Sequence, residues 1–165
     1  MKILIAVRHA KSSWDEEGLA DRDRPLNDRG KKDAPEMAKR LKKKDIKVDL
    51  FISSPAKRAR RTARFFAEEY KIGKKEIALD EKLYEAGVDN FYEVLQQLDD
   101  KVDTVALFSH NPGITDFVNT LTSVRIDNMP TCSMFAAQAN TDKWPDFRNS
   151  EKDFLFFDYP KNPFN

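Results

Sequence analysis

Cysteine is almost absent from this chain, which has one, Cys132, among its 165 residues. A single cysteine excludes a disulfide framework within the chain, and this favours a reduced, cytoplasmic protein. A lone cysteine could act as a nucleophile, but in a mixed apolar context it is more often a packing residue. We therefore expect Cys132 to be chemically inert.

Long apolar runs and a surplus of charge are missing too. No apolar stretch approaches the ~20 residues that a membrane-spanning helix needs, and the N-terminal run at residues 3–7 is too short for a signal peptide. Basic and acidic residues number 29 and 28, so the net charge of +1 gives no global reason to expect nucleic acid or a membrane as a partner. We expect a single domain over residues 1–165, a monomer by default.

Histidine is the third scarce residue, and its two copies both end apolar runs that are typical of buried strands. His9 closes the run that starts at residue 2, and His110 closes the run that starts at residue 104. Charged side chains make up 35% of the chain, so histidine is not used here as a generic polar residue. Ligands bind at the carboxyl ends of the strands in open α/β sheets. Two imidazoles at two such ends, one directly after Arg8, therefore indicate a site for an anion and favour phosphoryl chemistry.

Strand-like and helix-like segments alternate along the sequence. Apolar residues recur at helical spacing over residues 34–41, 55–70, 91–98 and 114–121. Pro35 disturbs the first of these helices, which either begins near Asp33 or kinks at the proline. The alternation predicts an α/β layer fold with a mainly parallel sheet, in which the last two strands form an antiparallel edge. The predicted strands cover residues 2–7, 48–53, 76–79, 104–108, 133–139 and 153–158.

The helix over residues 55–70 has a strong start signal. Ser54-Pro55 predicts an N-cap followed by a proline in the first turn. The start of a helix offers unpaired N–H groups and a partial positive charge, which favour phosphate. Arg58 in that first turn would add a bidentate fork for phosphate oxygens.

Four polar segments at the ends of the predicted strands carry the candidate chemistry. Together they supply an imidazole nucleophile, two arginines, a second imidazole and a carboxylic acid, which suffice for phosphoryl transfer through a covalent intermediate. Two histidines and one cysteine far apart in sequence do not make a plausible zinc site, and no carboxylate cluster has metal-ligand spacing. We therefore expect no metal and no other cofactor. The segments are residues 8–14, 53–63, 83–87 and 109–113.

These residues resemble the histidine phosphatase superfamily. The resemblance lies in Arg8-His9, in the segment 53–63 around Arg58, and in Ser109-His110. More narrowly, residues 8–14 and 23–30 are similar to the SixA-type phosphohistidine phosphatase branch. In this order and with these flanks the set is highly specific, and it covers about residues 2–139.

The resemblance implies a fold and a set of roles. The fold is a three-layer α/β/α sandwich of the phosphoglycerate mutase-like type, with a mainly parallel central sheet. His9 would be the phosphorylated nucleophile, and His110 would stabilise the transferring charge. Arg8 and Arg58 would bind the phosphoryl group.

The proton donor is less well defined than the other groups. In the wider family an acid stands directly after the second histidine, but Asn111 occupies that position here. The other location in the family is the region around Glu85, which is the candidate acid or else an ordinary loop carboxylate. SixA-type proteins can lack a clear acid, because phosphohistidine leaves as neutral imidazole. An alkoxide leaving group, in contrast, gains about 10²–10⁴-fold from a proton donor.

Several neighbouring residues have open roles. Lys11, Ser12 and Ser13 follow closely after His9, so we expect them to line the mouth of the site, with Lys11 and Ser12 binding substrate. Thr131 and Ser133 precede another strand and are expected near the site.

The roles of Arg24 and Trp14 are open as well. Arg24 either contacts substrate or pairs with Asp21 or Asp23, and we favour the ion pair. Trp14 either packs on the rim or touches substrate. Three arginines of the predicted second helix are expected to face solvent or to be structural, namely Arg60, Arg61 and Arg64.

The sequence as a whole predicts a metal-independent phosphatase that acts through a phosphorylated His9 on phosphohistidine of a signalling protein. A small-molecule phosphomonoesterase and a non-catalytic phosphate-recognition module are the alternatives. A nucleic-acid binder using the basic run 57–64 is disfavoured, because acidic Glu68-Glu69 follow it and no aromatic surface interleaves it.

Overall fold

The core of the protein is one six-stranded sheet. The computed structural model describes residues 1–164. In space the strands follow the order β3-β2-β4-β1-β5-β6. The β1–β4, β2–β4 and β2–β3 pairs are parallel, whereas β5 runs antiparallel to β1 and β6 antiparallel to β5. The predicted mainly parallel sheet with an antiparallel edge is therefore confirmed. The strands are β1 (Lys2–Arg8), β2 (Leu50–Ser53), β3 (Ala78–Leu79), β4 (Thr104–Ser109), β5 (Met134–Ala139) and β6 (Lys152–Asp158).

Four α-helices connect the strands. None of the helices within residues 1–164 is long and apolar enough to cross a lipid bilayer. Short 3₁₀ turns lie at Asp21–Asp23, Lys74–Glu76, Glu81–Leu83 and Trp144–Asp146. The α-helices are α1 (Asp28–Lys43), α2 (Lys57–Glu69), α3 (Val88–Gln96) and α4 (Gly113–Val118).

The sheet is covered on both faces, which makes a three-layer sandwich. Alternate residues of a strand point to opposite faces, and β1 shows this directly. Leu4 and Ala6 pack with α3 and α4 on one face, while Ile5 and Val7 pack with α1 and α2 on the other. Because both faces are buried, the strand is continuously apolar rather than alternating.

Two helix starts differ from the prediction. α1 begins at Asp28 and continues through Pro35, so the start near Asp33 is wrong. The missed signal is Asn27, whose side chain caps the helix by accepting a hydrogen bond from the N–H of Gly30 at 2.9 Å.

Ser54 is also not a helix cap. α2 begins at Lys57, and Ala56 occupies the cap position. The Ser54 hydroxyl instead accepts from the N–H of Ala56 at 3.2 Å and contacts the ring of His110. Ser54-Pro55 thus forms the turn between β2 and α2 rather than the first turn of the helix.

The start of α1 is pressed against the segment that follows β1. Gly30 lies so close to the backbone of Lys11 that a β-carbon at this position would overlap the Lys11 carbonyl oxygen. The same carbonyl accepts a hydrogen bond from the N–H of Asn27 at 3.0 Å. Only glycine therefore permits this close approach, which fixes the position of the chain just beyond His9.

Replacing Gly30 by alanine tests this contact. We expect Gly30→Ala to lower the free energy of unfolding by about 1–3 kcal/mol, because the added methyl group must displace backbone. Gly73→Ala is the matched control, since a β-carbon there meets no atom within 4 Å, and it should change stability by less than about 1 kcal/mol. Urea denaturation of both variants measures the difference, and equal stabilities would show that the Gly30 contact is not tight.

Candidate active site

The two histidines meet because β1 and β4 are adjacent and parallel. Arg8 is in register with Ser109, and the N–H of His9 donates to the Ser109 carbonyl at 3.1 Å. His9 and His110, which follow Arg8 and Ser109, are therefore side by side. The ring centroids of His9 and His110 lie 5.1 Å apart.

The imidazole of His9 is buried and held in one tautomer. Its Nδ1 lies 2.7 Å from the carbonyl oxygen of Ala10. A carbonyl oxygen only accepts, so Nδ1 carries the proton and Nε2 keeps a free lone pair. Burial lowers the pKa of His9 well below its ordinary value, and nearby His110 and Arg58 lower it further. The ring is therefore neutral, as a nucleophile must be.

The backbone beside His9 is fixed from α2. The hydroxyl of Thr62 accepts from the N–H of Ala10 at 3.0 Å and donates to the carbonyl of Arg58 at 2.8 Å. Thr62 is fully buried. Thr62 therefore has a structural role, because its hydroxyl ties the turn after His9 to the helix that carries Arg58.

His110 is the second neutral imidazole. Its Nε2 lies 2.7 Å from the Ser54 hydroxyl, and the ring of Tyr84 packs edge-on at a centroid distance of 5.5 Å. Burial lowers the pKa of His110 to about 3, and the charge of Arg58 acts in the same direction. His110 Nδ1 is buried without a partner among the described residues, a pattern that clusters at catalytic sites.

Arg8 and Arg58 reach the same cavity as the histidines. Arg8 donates from Nη1 to the carbonyl of Met129 at 2.7 Å. Arg58 donates from Nη1 to the backbone carbonyl of Asp21 at 2.7 Å and from Nη2 to its carboxylate at 3.0 Å. The cavity has a volume of about 220 Å³ and is lined by Arg8, His9, Lys11, Ser12, Trp14, Arg24, Arg58, His110, Asn111 and Thr131.

The structure brings most of the other candidates to this cavity. Lys11, Ser12 and Thr131 line it, as the sequence analysis expects. Ser133 does not line it but is fully buried, and its hydroxyl has no partner within residues 1–164. The thiol of Cys132 is buried as well, and burial raises its pKa, which agrees with a packing role.

Arg24 forms the ion pair that we favour and also lines the cavity. It pairs with Asp21 at 3.1 Å, and its Nη2 donates to the Ser12 hydroxyl at 2.6 Å. Its guanidinium also lies 3.2 Å from the ring centroid of Trp14, which is 75% exposed. Arg24 is thus an ion-pair partner that also lines the cavity, and Trp14 covers it at the rim.

Glu85 lies beside the His9 cavity rather than in its wall. It lines a neighbouring cavity of about 460 Å³ together with Asp21, Arg58, Tyr84 and His110. Its backbone is left-handed, with φ at +53°, and strain of this kind is concentrated at functional sites. Glu85 therefore shares a cavity wall with Arg58 and His110 and lies outside the lining of the His9 cavity.

Asp21 is the important residue that sequence reasoning missed. Its carboxylate accepts from the hydroxyl of Tyr84 at 2.6 Å and from Arg58 and Arg24 at 3.0 and 3.1 Å. The hydrogen bond from Tyr84, with the two arginines, lowers the pKa of Asp21 to about 2. From the sequence, Asp21 is only a candidate partner of Arg24, because Arg58 and Tyr84 are 37 and 63 residues away.

The arrangement has a definite chemical capacity. A neutral imidazole with a free lone pair faces a second imidazole and two arginine forks, so the cavity can bind an oxyanion and attack it. Guanidinium groups match the geometry of phosphoryl oxygens. Among residues 1–164, no group of three or more His, Cys, Asp or Glu side chains is arranged to hold a metal ion.

Comparison with known proteins agrees with this geometry. Residues 4–99 match the sequence model of the histidine phosphatase superfamily (branch 1). An uncharacterised chloroplastic protein of Arabidopsis thaliana is 30% identical over 159 residues, which cover 86% of this chain and 68% of that protein.

Solved structures share the fold. A SixA-type protein from Agrobacterium tumefaciens superposes with a TM-score of 0.81 at 22% identity, covering 96% of this chain and 98% of that one. The protein histidine phosphatase SixA complexed with tungstate gives a TM-score of 0.80 at 20% identity, covering 96% and 97%. The predicted phosphoglycerate mutase-like fold is confirmed by these likenesses.

The charge of Asp21 should oppose anion binding. Asp21→Asn keeps an oxygen that accepts from Tyr84, and Arg58 keeps its bond to the Asp21 backbone carbonyl. An oxyanion would then no longer face an ionised carboxylate, so we expect inorganic phosphate to bind about 3- to 10-fold more tightly. Isothermal titration calorimetry measures the change.

Asp23→Asn is the control for this experiment. Asp23 is exposed in the same 3₁₀ turn, and its side chain has no hydrogen bond or ion pair within the described chain. Phosphate affinity should be unchanged in this variant. Weaker binding by Asp21→Asn would contradict the prediction and would mean that the carboxylate acts mainly to orient Arg58.

Proposed function

This chain belongs to branch 1 of the histidine phosphatase superfamily and is a phosphatase, and we propose that it works through a phosphohistidine intermediate on His9. The observation that carries this proposal is the state of the His9 ring. Its Nδ1–H is held by the carbonyl of Ala10, and its neutral Nε2 is left free beside two arginines.

In the first step, Nε2 of His9 attacks the phosphorus of the substrate. The new N–P bond forms as the bond to the leaving group breaks, and the electron pair of that bond goes to the leaving group. The positive charge that develops on the His9 ring is stabilised by its Nδ1–H bond to Ala10. Arg8 and Arg58 hold the phosphoryl oxygens by charge-assisted hydrogen bonds.

In the second step, water attacks the phosphorus of phosphorylated His9. The N–P bond breaks, its electron pair returns to Nε2, and inorganic phosphate leaves as H2PO4⁻ with the oxygen and both protons of the water. His110 stabilises the charge on the transferring group in both steps. In the empty cavity, the charge of Arg58 helps to lower the pKa of His110. A bound dianion offsets that charge and raises the pKa, so phosphoryl binding favours the protonated ring.

Phosphohistidine on a signalling protein is the substrate that we propose. Imidazole leaves in neutral form when its other ring nitrogen is protonated, so this reaction needs no acid at the reacting centre. Asn111 stands where an acid follows the second histidine in relatives, and Glu85 lies outside the lining of the His9 cavity. Both features suit a leaving group that does not require a proton.

A small-molecule phosphomonoesterase is the second candidate. The observation in its favour is the neighbouring cavity, where Glu85 shares a wall with Arg58 and His110. A carboxylic acid at that place could protonate an alkoxide leaving group. The two candidates therefore differ in what they require of Glu85.

One domain, a monomeric state and a cytoplasmic location stay predictions. The buried thiol of Cys132 fits a reducing compartment, because it takes part in no disulfide among the described residues. Light scattering of the purified chain would measure the oligomeric state directly.

The role of His9 can be tested with a phosphorylated histidine-bearing phosphotransfer protein and a chelator in the buffer. We expect His9→Ala to lower phosphate release at least about a thousandfold, because no other group can form the intermediate. The wild type should carry acid-labile, alkali-stable phosphate during turnover, and His9→Ala should not. Cys132→Ala, which removes the only thiol, should retain activity. A His9→Ala variant with a tenth of the wild-type rate would refute the proposed intermediate.

The role of Glu85 separates the two candidate substrates. For phosphohistidine hydrolysis we expect Glu85→Gln to change kcat/KM by less than about threefold, whereas an alkyl phosphate should lose about 10²-fold or more. Glycerol phosphate and a phosphohistidine peptide are suitable probes. Glutamine preserves the shape of the side chain, so any change in kcat/KM reflects the loss of the proton that Glu85 could donate. A large loss on the peptide would count against acid-free departure of imidazole.

A further inference from the structure

A second group of cations lies outside the active site, between α2 and the edge strand β3. Five of them line one cavity of about 220 Å³. The apolar part of its wall is Ile77 and Leu79. We call this cavity the basic cleft, and its cations are Lys57, Arg60, Arg61, Arg64 and Lys74.

The cations of the basic cleft are not neutralised by the protein. None of them forms an ion pair with a carboxylate within residues 1–164, although basic and acidic residues are almost equal in number. Exposed cations elsewhere do pair, as Arg148 does with Asp89 and Lys82 with Glu93. In the cleft, Arg61 contacts only the ring of Phe65, and Nε of Arg64 is buried without a partner. Like charges gathered in this way create a local positive potential that attracts an anion.

The basic cleft and the active-site cavity are lined by neighbouring residues of α2. Lys57 directly precedes Arg58, the arginine of the active-site cavity. An α-helix rises about 1.5 Å per residue, so Arg64 lies about 9 Å from Arg58 along α2. The end of β3 is also tied to the site, because the N–H of Asp80 donates to the Ser53 carbonyl at 3.0 Å. The cleft and the active-site cavity therefore adjoin at the first turn of α2.

The edge of the sheet adds an apolar contact to the cleft. β3 has only two residues and pairs on one side only, with β2. Leu79 of this strand is 53% exposed. Exposed edge strands are places where another polypeptide can bind. No aromatic side chain lines the cleft, so it lacks the stacking surface that single-stranded nucleic acid requires.

We propose that the basic cleft binds an acidic segment of the phosphorylated protein substrate. This inference rests on the proposed function, and it adds the chemistry by which the partner is recognised. An extended chain advances about 3.3 Å per residue, so a segment about three to six residues from the phosphohistidine spans the cleft. Its carboxylates pair with the cations, and an apolar side chain within it contacts Leu79.

Two phosphohistidine peptides of one sequence test the proposal. In one peptide, glutamates occupy the third to sixth positions after the phosphohistidine, and in the other the same positions are glutamine. We expect the wild type to show a KM about tenfold lower for the acidic peptide, with a similar kcat. Equal KM values for the two peptides would overturn the proposal.

A double charge reversal locates the binding surface. Arg60→Glu with Lys74→Glu changes two exposed residues of the cleft, and the KM for the acidic peptide should rise about tenfold. The kcat/KM for phosphoramidate, which is too small to reach the cleft, should stay unchanged and shows that the variant is folded. Lys32→Glu with Lys39→Glu makes the same change in net charge on exposed positions of α1. If this control raises KM as much, the effect is general steering and the proposal fails.

Binding without catalysis separates this proposal from the proposed function. The unphosphorylated acidic peptide, labelled for fluorescence anisotropy, should bind the wild type and lose affinity about tenfold in the cleft variant. If binding is observed and no phosphorylated substrate is hydrolysed, the proposed function fails while the cleft stands. A short single-stranded oligonucleotide that binds the cleft more tightly than the acidic peptide would overturn the assignment to a protein segment.

Discussion

The parallel pairing of β1 with β4 is the constraint on which the site depends. The register sets Arg8 beside Ser109, so the next residue of each strand is a histidine and the two rings meet. That register is fixed by burial on both faces. A slip of one residue would exchange the side chains of β1 between the two halves of the core. The apolar pattern of the strands thus positions the two histidines, although those apolar residues lie in the core and not in the lining of the cavity.

Electrostatics gives the two histidines their chemical state. Both rings are buried near arginines, so both have lowered pKa values and are neutral in the empty cavity. Neutrality leaves a lone pair on His9. Burial is its main cause, and the arginines that add to it are also the groups that attract an oxyanion. Asp21 balances part of this positive charge while held by Arg58, Arg24 and Tyr84. An incoming oxyanion therefore has to bind Arg58 while its guanidinium already donates hydrogen bonds to Asp21.

Helix α2 presents different chemistry on different faces. Arg58 lines the His9 cavity and Thr62 bonds the turn after His9, while other cations of the same helix line the basic cleft. The apolar face packs against the sheet. A short helix that follows β2 thus carries residues of the active-site cavity and of the basic cleft, which we propose bind the phosphoryl group and the chain that carries it. The arginines that we expected to face solvent or to be structural line this one cleft, with Arg60 exposed and Arg61 and Arg64 half-buried.

The sequence by itself determined the strands, the α/β layers and the identity of the core site residues. Those features depend on local periodicity and on motifs such as Arg8-His9, in which neighbours in sequence remain neighbours in space. Only the tertiary structure decided the partners of Ser54, the place of Glu85 in an adjacent cavity and the carboxylate of Asp21 on Arg58. Each of these contacts joins residues far apart in the chain, at distances that hydrogen bonding and close packing set only once the sheet has formed. The basic cleft is of the same kind, because Lys74 meets the cations of α2 only after β3 pairs with β2.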